Sequence, residues 1–180
     1  MRERLGPGRL PGPVAVEGRF YRHQAARYRR LGGSTFGGRW SPPDDFEAIY
    51  LARPLAAVVG EAYRHLVDRT AAKPKLIAPR WLFTVGVTLD RVLDLRSESV
   101  RDACGLSRDD LAGEHDRCRA VGRRAFEVDY QGVLAPAATS LGETLCVFAE
   151  RVRRENLGVV ERRLWELPAD PRTGGAGRAR

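Results

Sequence analysis

A ten-residue run with strict alternation constrains the fold more than any other part of the chain. In RWLFTVGVTL, residues 80–89, the large apolar side chains occupy every second position: Trp81, Phe83, Val85, Val87 and Leu89. Successive side chains of a β-strand point to opposite faces, so this spacing puts all of them on one face. The run therefore predicts a half-buried strand.

Shorter runs on both sides of residues 80–89 predict further elements. Strands are predicted by four apolar runs: EAIYLA (47–52), VLDL (92–95), GVLAP (132–136) and TLCVFAE (144–150). RPLAAVVGEAYRHLVDRT (53–70) predicts a helix, because Pro54 suits a first turn and apolar residues follow at helical spacing. Strands, helices and strands again predict an α+β domain with a mixed or mainly antiparallel sheet and flanking helices.

The segment after residue 106 predicts another helix. Ser107 can cap a helix that starts in SRDDLAG, since Asp110 follows three residues later. Apolar residues then recur at helical spacing: Cys118, Val121, Ala125 and Val128.

The composition fits one domain between two tails. The chain has 180 residues, 43% of them hydrophobic, which is enough for a single core. Residues 1–13 and 168–180 are rich in Gly, Pro and Arg, and we expect both to be disordered. The domain is therefore expected to span residues 14–167.

Several classes of protein lack support in the sequence. No apolar run approaches the roughly 18 residues of a membrane span, and the first residues show no secretory signal. Cys104, Cys118 and Cys146 have no metal-ligand spacing, and buried reduced thiols are typical of a cytoplasmic protein. The histidines and acids form no recognisable metal site, so no metal is expected. Neither a Walker-type loop nor a G-x-G-x-x-G fingerprint occurs.

The charge is strongly positive and is carried by arginine. The formal net charge is +8, and Lys73 and Lys75 are the only lysines among 31 basic residues. This charge is compatible with an anionic ligand, a nucleic acid or an acidic protein partner. Charge alone does not choose among them.

The motif FGGRWSPP, residues 36–43, is the best local candidate for a ligand loop. Gly37 and Gly38 permit backbone geometry and close approach that larger residues resist. The planar fork of Arg39 suits two oxygens of one phosphate.

Three further candidates each have an ordinary structural interpretation. Arg22, in GRFYRH, can be an exposed cation on an edge strand, and Tyr50 can be core filler. Glu61 lies roughly 120° around its helix from Leu55, taking about 100° per residue, so it falls outside the apolar face and can be a solvated glutamate.

Taken in order, these motifs resemble the RES-domain family, the toxin half of RES–Xre toxin–antitoxin pairs. The matching segments are FYRH, FGGRWSPP, AIYLA, a glutamate eleven residues after Tyr50, VLDL, CRAVG and QGVLAPAAT. They extend from about Arg19 to Val160. The chain is particularly similar to mycobacterial members that degrade NAD.

The resemblance implies an ADP-ribosyltransferase-like domain with a cleft for NAD. The implied activity is cleavage of the nicotinamide–ribose bond, with ADP-ribose passed to phosphate or water. NAD is then a substrate, phosphate a possible co-substrate, and no separate cofactor is expected. An Xre-family antitoxin is expected to block the cleft, with nucleic acid involved only through that antitoxin.

The resemblance also implies roles for particular residues. Glu61 would be the catalytic carboxylate, assisted by Arg22. Arg22 and Arg39 would hold the dinucleotide phosphates, and Tyr50 would pack against the nicotinamide or its ribose. Gly38 and His23 are expected to contact the substrate as well.

One position departs from the pattern of many family members. They carry Pro-Ser where this chain has Pro136-Ala137, with Thr139 and Ser140 close behind. The mycobacterial NAD-degrading members also resemble this chain in having Pro-Ala, so the departure questions a role for serine more than the activity.

Other functions remain open at the level of the sequence. The same cleft could transfer ADP-ribose to a protein, the chain could be an inactive relative, or its charge could serve a non-enzymatic nucleic-acid-binding module. Against that module, aromatic residues are not interleaved with arginine on one clear face.

Overall fold

A computed structural model describes residues 10–173 and contains six strands and three α-helices within that range. The strands are β1 (Val14–Ala25), β2 (Ala48–Arg53), β3 (Arg80–Asp94), β4 (Gly132–Pro136), β5 (Glu143–Phe148) and β6 (Leu157–Trp165). The helices are α1 (Leu55–Tyr63), α2 (Glu98–Ala103) and α3 (Asp116–Glu127), and a π-helical turn, Arg64–Asp68, extends α1. None of the helices described is long and apolar enough to cross a membrane.

The six strands form one mixed sheet that closes on itself. The strand order is β1-β2-β5-β4-β3-β6, and β1 also pairs with β3. The first five strands therefore form a ring, while β6 is added outside it along β3. Only β3 and β4 run parallel to each other, and the other pairs are antiparallel. This confirms the predicted α+β class and mixed sheet.

The ring has a core of its own, and helices cover it. One apolar cluster draws residues from all five ring strands, including Phe20, Leu51, Val85, Leu134 and Leu145. A second cluster lies between the sheet and α3, and a third lies between the sheet and α1.

The strand predicted from the alternation in residues 80–89 is confirmed, but it extends beyond the alternating segment to Asp94. Phe83, Val85, Val87 and Leu89 all lie in the ring core, and Trp81 packs against it. The predicted separate strand at 92–95 is wrong, because residues 92–94 continue β3. The polar pair Asp90-Arg91 looks like a turn in the sequence, yet both backbone N–H groups donate to the Gln131 side chain at 2.8 and 3.1 Å.

Two further elements differ from the sequence expectations. Strand β6 was not predicted, since nearly all its residues are exposed and only Trp165 is buried. SRDDLAG does not begin a long helix. The backbone N–H and hydroxyl of Ser107 both donate to the Asp110 carboxylate at 2.7 Å, but only a 3₁₀ turn, Asp109–Leu111, follows, and α3 starts at Asp116.

Residues 168–173, expected to be part of a disordered tail, make specific contacts. The Tyr63 hydroxyl donates to the Pro168 carbonyl at 2.7 Å, and Arg172 forms ion pairs with Asp68 at 2.6 Å and Asp170 at 2.7 Å. At the other end, the Tyr130 hydroxyl donates to the Pro11 carbonyl. Residues 1–9 and 174–180 lie outside the described residues, and the domain bounds 14–167 stay a prediction.

Gly122 allows α3 to pack against the loop that carries Trp40. A Cβ at this position would lie 1.9 Å from the Trp40 carbonyl oxygen, a backbone atom that cannot move alone. Trp40 itself is 1% exposed, so the contact is part of the core.

We expect Gly122→Ala to lower the free energy of unfolding by about 2 kcal/mol or more, because the added methyl overpacks the interface. Urea unfolding followed by circular dichroism measures this change. Gly158→Ala is the matched control, since a Cβ there meets nothing within 4 Å. Equal stabilities of the two variants would contradict the assigned contact.

Candidate functional site

A cavity of about 460 Å³ opens between β1, β2, α1 and the loop of residues 37–40. All the site residues predicted from the sequence line it: Arg22, His23, Gly38, Arg39, Tyr50 and Glu61. They come from separate parts of the chain that the closed sheet and α1 bring together. Their roles stay a prediction, but their common location is a property of the fold.

The glycine loop rests on the hydroxyl of Tyr50. That oxygen accepts a hydrogen bond from the Trp40 N–H at 2.9 Å and bonds to the Ser41 hydroxyl at 2.9 Å. A Cβ on Gly38 would lie 2.4 Å from the same oxygen, and Gly37 has a φ of +81°, which favours glycine. The two glycines are therefore needed for the loop to fit over the tyrosine.

The surroundings of Tyr50 keep its hydroxyl protonated. Burial, and then the neighbouring Cys146 thiol, raise the pKa of its hydroxyl well above the ordinary value, so the group stays protonated. Its ring lines the cavity while its hydroxyl is used by the loop. The tyrosine is therefore more than core filler, since its hydroxyl also supports the glycine loop.

Arg39 reaches across the cavity to the segment before α3. Its Nη1 donates to the Asp110 carbonyl at 2.9 Å and to the Gly113 carbonyl at 3.4 Å. Arg119, from α3, donates in the opposite direction to the Gly38 carbonyl at 3.0 Å. Backbone carbonyls orient both guanidiniums without cancelling their charge.

Arg22 lies deeper, on β1. Its Nη1 donates to the Tyr50 carbonyl at 3.0 Å and its Nε to the Gln24 side chain at 3.3 Å. Burial lowers the pKa of Arg22, but an arginine starts so high that it remains charged at neutral pH. The interpretation of Arg22 as an exposed edge-strand cation is wrong.

His23 is held in its neutral form. Its Nδ1 accepts a hydrogen bond from the Arg80 Nε at 2.7 Å, and its ring lies 5.8 Å from that of Trp165. Burial, followed by the charges of Arg80 and Arg22, lowers the pKa of His23 to about 3.

Glu61 supplies the negative charge of the cavity. Among the described residues that line it, Glu61 is the one acidic side chain. It is 22% exposed, and its Oε2 lies 3.5 Å from the Nε2 of His65, one turn further along. Glu61 is therefore not the fully solvated glutamate that its position on the helix alone would suggest.

Five basic residues of the described lining were not predicted: Arg64, His65, Arg69, His115 and Arg119. Arg64 had a signal in the sequence, because it follows Glu61 by three residues and so shares its helix face. Arg119 lies in CRAVG, a motif matched only for its order. Arg69 directly follows the π-helical turn Arg64–Asp68, an irregularity that the sequence does not predict, and the position of His115 depends on how the segment 105–115 folds back.

The alanine of the Pro-Ala pair does not face the ligand space. Ala137 is 4% exposed and packs in the cluster under α1, whereas its neighbours Pro136 and Ala138 line the cavity. In the described range 10–173, no group of three or more His, Cys, Asp and Glu side chains is placed to hold a metal ion.

Comparisons with known proteins agree on one family. The model of the RES domain family matches residues 13–170. The NAD(+) phosphorylase MbcT of Mycobacterium bovis is 40% identical over 138 residues, 74% of each chain, as is the protein of that name from Mycobacterium tuberculosis. The crystal structure of the M. tuberculosis MbcT–MbcA toxin–antitoxin complex matches with a TM-score of 0.79 and 36% identity, covering 86% of this chain and 87% of the other.

The neutral state of His23 predicts a dependence of stability on pH. Between pH 7 and pH 5 the unfolded chain protonates this histidine and the folded chain does not, so folding becomes less favourable as the pH falls. The expected loss is about 2 kcal/mol in the free energy of unfolding.

His23→Gln keeps an acceptor for Arg80 and removes this titration. The variant should lose about 2 kcal/mol less than the original protein over the same range, as measured by urea unfolding at each pH. His115 titrates in both proteins and cancels in the difference. Parallel pH curves would refute the assignment of a neutral, buried His23.

Proposed function

The chain belongs to the RES domain family, and from that premise we propose that it cleaves the nicotinamide–ribose bond of NAD and transfers ADP-ribose to phosphate. The relatives named NAD(+) phosphorylase support this reaction. The observation that carries the proposal is the cavity, whose described lining combines a single carboxylate, Glu61, with several arginines.

The cavity suits a dinucleotide in size and charge. Its volume of about 460 Å³ lies within the usual range of small-molecule sites. Arg22 and Arg39 hold the pyrophosphate, each already oriented by a backbone carbonyl. Gly38 brings the loop backbone close to the ligand, neutral His23 adds no charge, and the Tyr50 ring packs against the nicotinamide or its ribose.

The reaction needs one carboxylate because of its leaving group. Nicotinamide departs from a cationic pyridinium, so the electron pair of the bond returns to the ring nitrogen and no general acid is required. The ribose passes through an oxocarbenium-like transition state, as in glycoside cleavage. The Glu61 carboxylate stabilises the charge that develops on the sugar, an effect on the order of 3 kcal/mol for a preorganised group. Arg22 assists by fixing the dinucleotide relative to Glu61.

The partner we propose is an antitoxin of the Xre type. The solved relative is a toxin in complex with its antitoxin, which supports the same arrangement here. An antitoxin that covers the cavity mouth, with its C-terminal segment on the arginines, would exclude NAD. Nucleic acid would then be contacted only through the antitoxin. We place the reaction in the cytoplasm, in keeping with three free cysteines among the described residues.

We expect Glu61→Gln to reduce the rate of nicotinamide release from NAD by about 10²–10³-fold, because the amide has the same shape and no charge. The KM for NAD should change little. The measurement is nicotinamide release with purified protein in the presence of inorganic phosphate.

Glu98→Gln is the matched control, since Glu98 is an exposed helix glutamate outside the cavity. Unchanged turnover in Glu61→Gln would sink the proposed role of this carboxylate. Labelled NAD incubated with cell extract tests the acceptor separately. Label retained on a protein band would favour protein ADP-ribosylation, whereas ADP-ribose 1″-phosphate favours the reaction proposed.

A further inference from the structure

The cavity carries more positive charge than a dinucleotide can neutralise. Among the residues that the structure describes, five arginines line it, namely Arg22, Arg39, Arg64, Arg69 and Arg119, together with the single carboxylate of Glu61. NAD brings two anionic phosphates and one cationic ring. With NAD bound, a surplus of positive charge remains, and such a surplus favours a second anion.

The arginines are not neutralised by other acids of the protein. Among residues 10–173, Arg22, Arg39, Arg64 and Arg69 have no carboxylate within 4.0 Å. Arg119 approaches only Asp116, at 3.9 Å, and the Asp116 side chain is 93% exposed, so solvent screens this pair.

The cations divide into two groups along the cavity. Arg22 lies on the floor of the cavity beside His23, where burial and then the charges of Arg80, Arg22 and His65 lower the pKa of that histidine. The other four surround His115, whose pKa is lowered by partial burial and by Arg39, Arg119, Arg69 and Arg64. Hydrogen bonds place this second group beside the segment 110–119, since Arg39 donates to the Asp110 carbonyl and Arg64 to the Ala112 carbonyl.

Three members of the second group are free to bind a ligand. Arg64 donates one bond, to the Ala112 carbonyl at 2.9 Å, and Arg119 one, to the Gly38 carbonyl at 3.0 Å. The exposed guanidinium of Arg69 makes no hydrogen bond or ion pair with any described residue. A guanidinium has five N–H donors, so most of the donors of Arg64, Arg69 and Arg119 remain available.

The location suits a second substrate that arrives after the first. Arg69 is exposed and Arg64 is half-buried, so this group lies where the cavity meets solvent. A small anion can still reach it when the dinucleotide fills the deeper part. The arginines also offset the repulsion between an incoming dianion and the pyrophosphate.

We propose that Arg64, Arg69 and Arg119, beside His115, bind the inorganic phosphate that accepts ADP-ribose. This inference rests on the proposed function and adds the location of the co-substrate to it. An oxygen of HPO₄²⁻ forms a bond to C1″ of the nicotinamide ribose as the bond from C1″ to the nicotinamide nitrogen breaks. The electron pair leaves with nicotinamide, and the ester phosphate keeps the proton. The products are nicotinamide and ADP-ribose 1″-phosphate.

The test is a matrix of nicotinamide release rates at varied NAD and varied inorganic phosphate. Arg69→Ala is the first variant, because its side chain is exposed and its removal leaves the fold intact. Arg64→Ala with Arg69→Ala is the second. We expect the KM for phosphate to rise about tenfold in the single variant and further in the double, since each charged hydrogen-bonding group lost is worth at least that factor. The KM for NAD and kcat at saturating phosphate should stay within about twofold.

Two comparisons separate local binding from general effects. Arg64→Lys keeps the charge without the planar fork and should recover part of the affinity for phosphate. Arg117→Ala is the matched control, because Arg117 is 71% exposed, lies two residues from Arg119 and does not line the cavity. Its kinetic constants should equal those of the original protein.

The outcomes distinguish this inference from the proposed function. If the original protein releases nicotinamide and the variants keep the same KM for phosphate, the phosphate site is wrong and the function stands. A parallel rise in the KM for NAD would assign these arginines to the dinucleotide and overturn the inference. No nicotinamide release by the original protein would overturn both.

Discussion

The pairing of β1 with β3 is the constraint on which the rest of the structure depends. The two strands stay in register from Val14 opposite Val92 to Ala25 opposite Arg80, with one bulge near the start. This pairing closes the sheet and makes a shared interior for the apolar residues of five strands. It also places Arg22 on a strand that borders β2, so that its guanidinium reaches the carbonyl of Tyr50. Without closure, the floor of the cavity would have no fixed position relative to the glycine loop.

The cavity walls are assembled by hydrogen bonds between polar groups and backbone carbonyls. Arg39, Arg64 and Arg119 each bond a carbonyl on an opposing segment. A carbonyl orients a guanidinium and leaves its charge unneutralised, unlike a carboxylate, which would cancel it. The arrangement thus combines a defined shape with a strong attraction for anions. Arginine serves this purpose better than lysine, because its rigid fork can bond the wall and a ligand at the same time.

Much of the fold was predictable because local patterns determine it. Three kinds of pattern indicate which faces of an element are buried. They are the alternation in β3, the apolar runs of β2, β4 and β5, and the helical spacing in α1. Strand β6 was not predicted, because an exposed edge strand shows no periodic pattern of apolar residues. The boundary between 80–89 and 92–95 was wrong because a polar pair within a continuous strand resembles a turn, and only the partner side chain of Gln131 shows otherwise.

The residues of the site likewise divide into those that sequence motifs predict and those that only the tertiary structure brings to the cavity. Gly38, Arg39, Tyr50 and Glu61 stood in ordered motifs, so their common location could be predicted. Arg69 could not be found because it follows an unpredicted π-helical turn, and His115 because it joins the cavity through the folding of a distant segment. The motif CRAVG was recognised only by its order in the sequence, and the structure shows which contacts it makes. Gly122 packs against the Trp40 carbonyl, and Arg119 donates to the Gly38 carbonyl.

The use of amide oxygens to hold the cationic walls has a consequence for acid tolerance. A wall tied by aspartate or glutamate would loosen once those groups took up protons, whereas peptide oxygens do not titrate in the range where a protein stays folded. The spacing between the glycine loop and the segment 110–113 is therefore insulated from cellular acidification. Acid lowers the free energy of unfolding through His23, but the hydrogen bonds from the wall arginines to peptide carbonyls persist for as long as the chain remains folded.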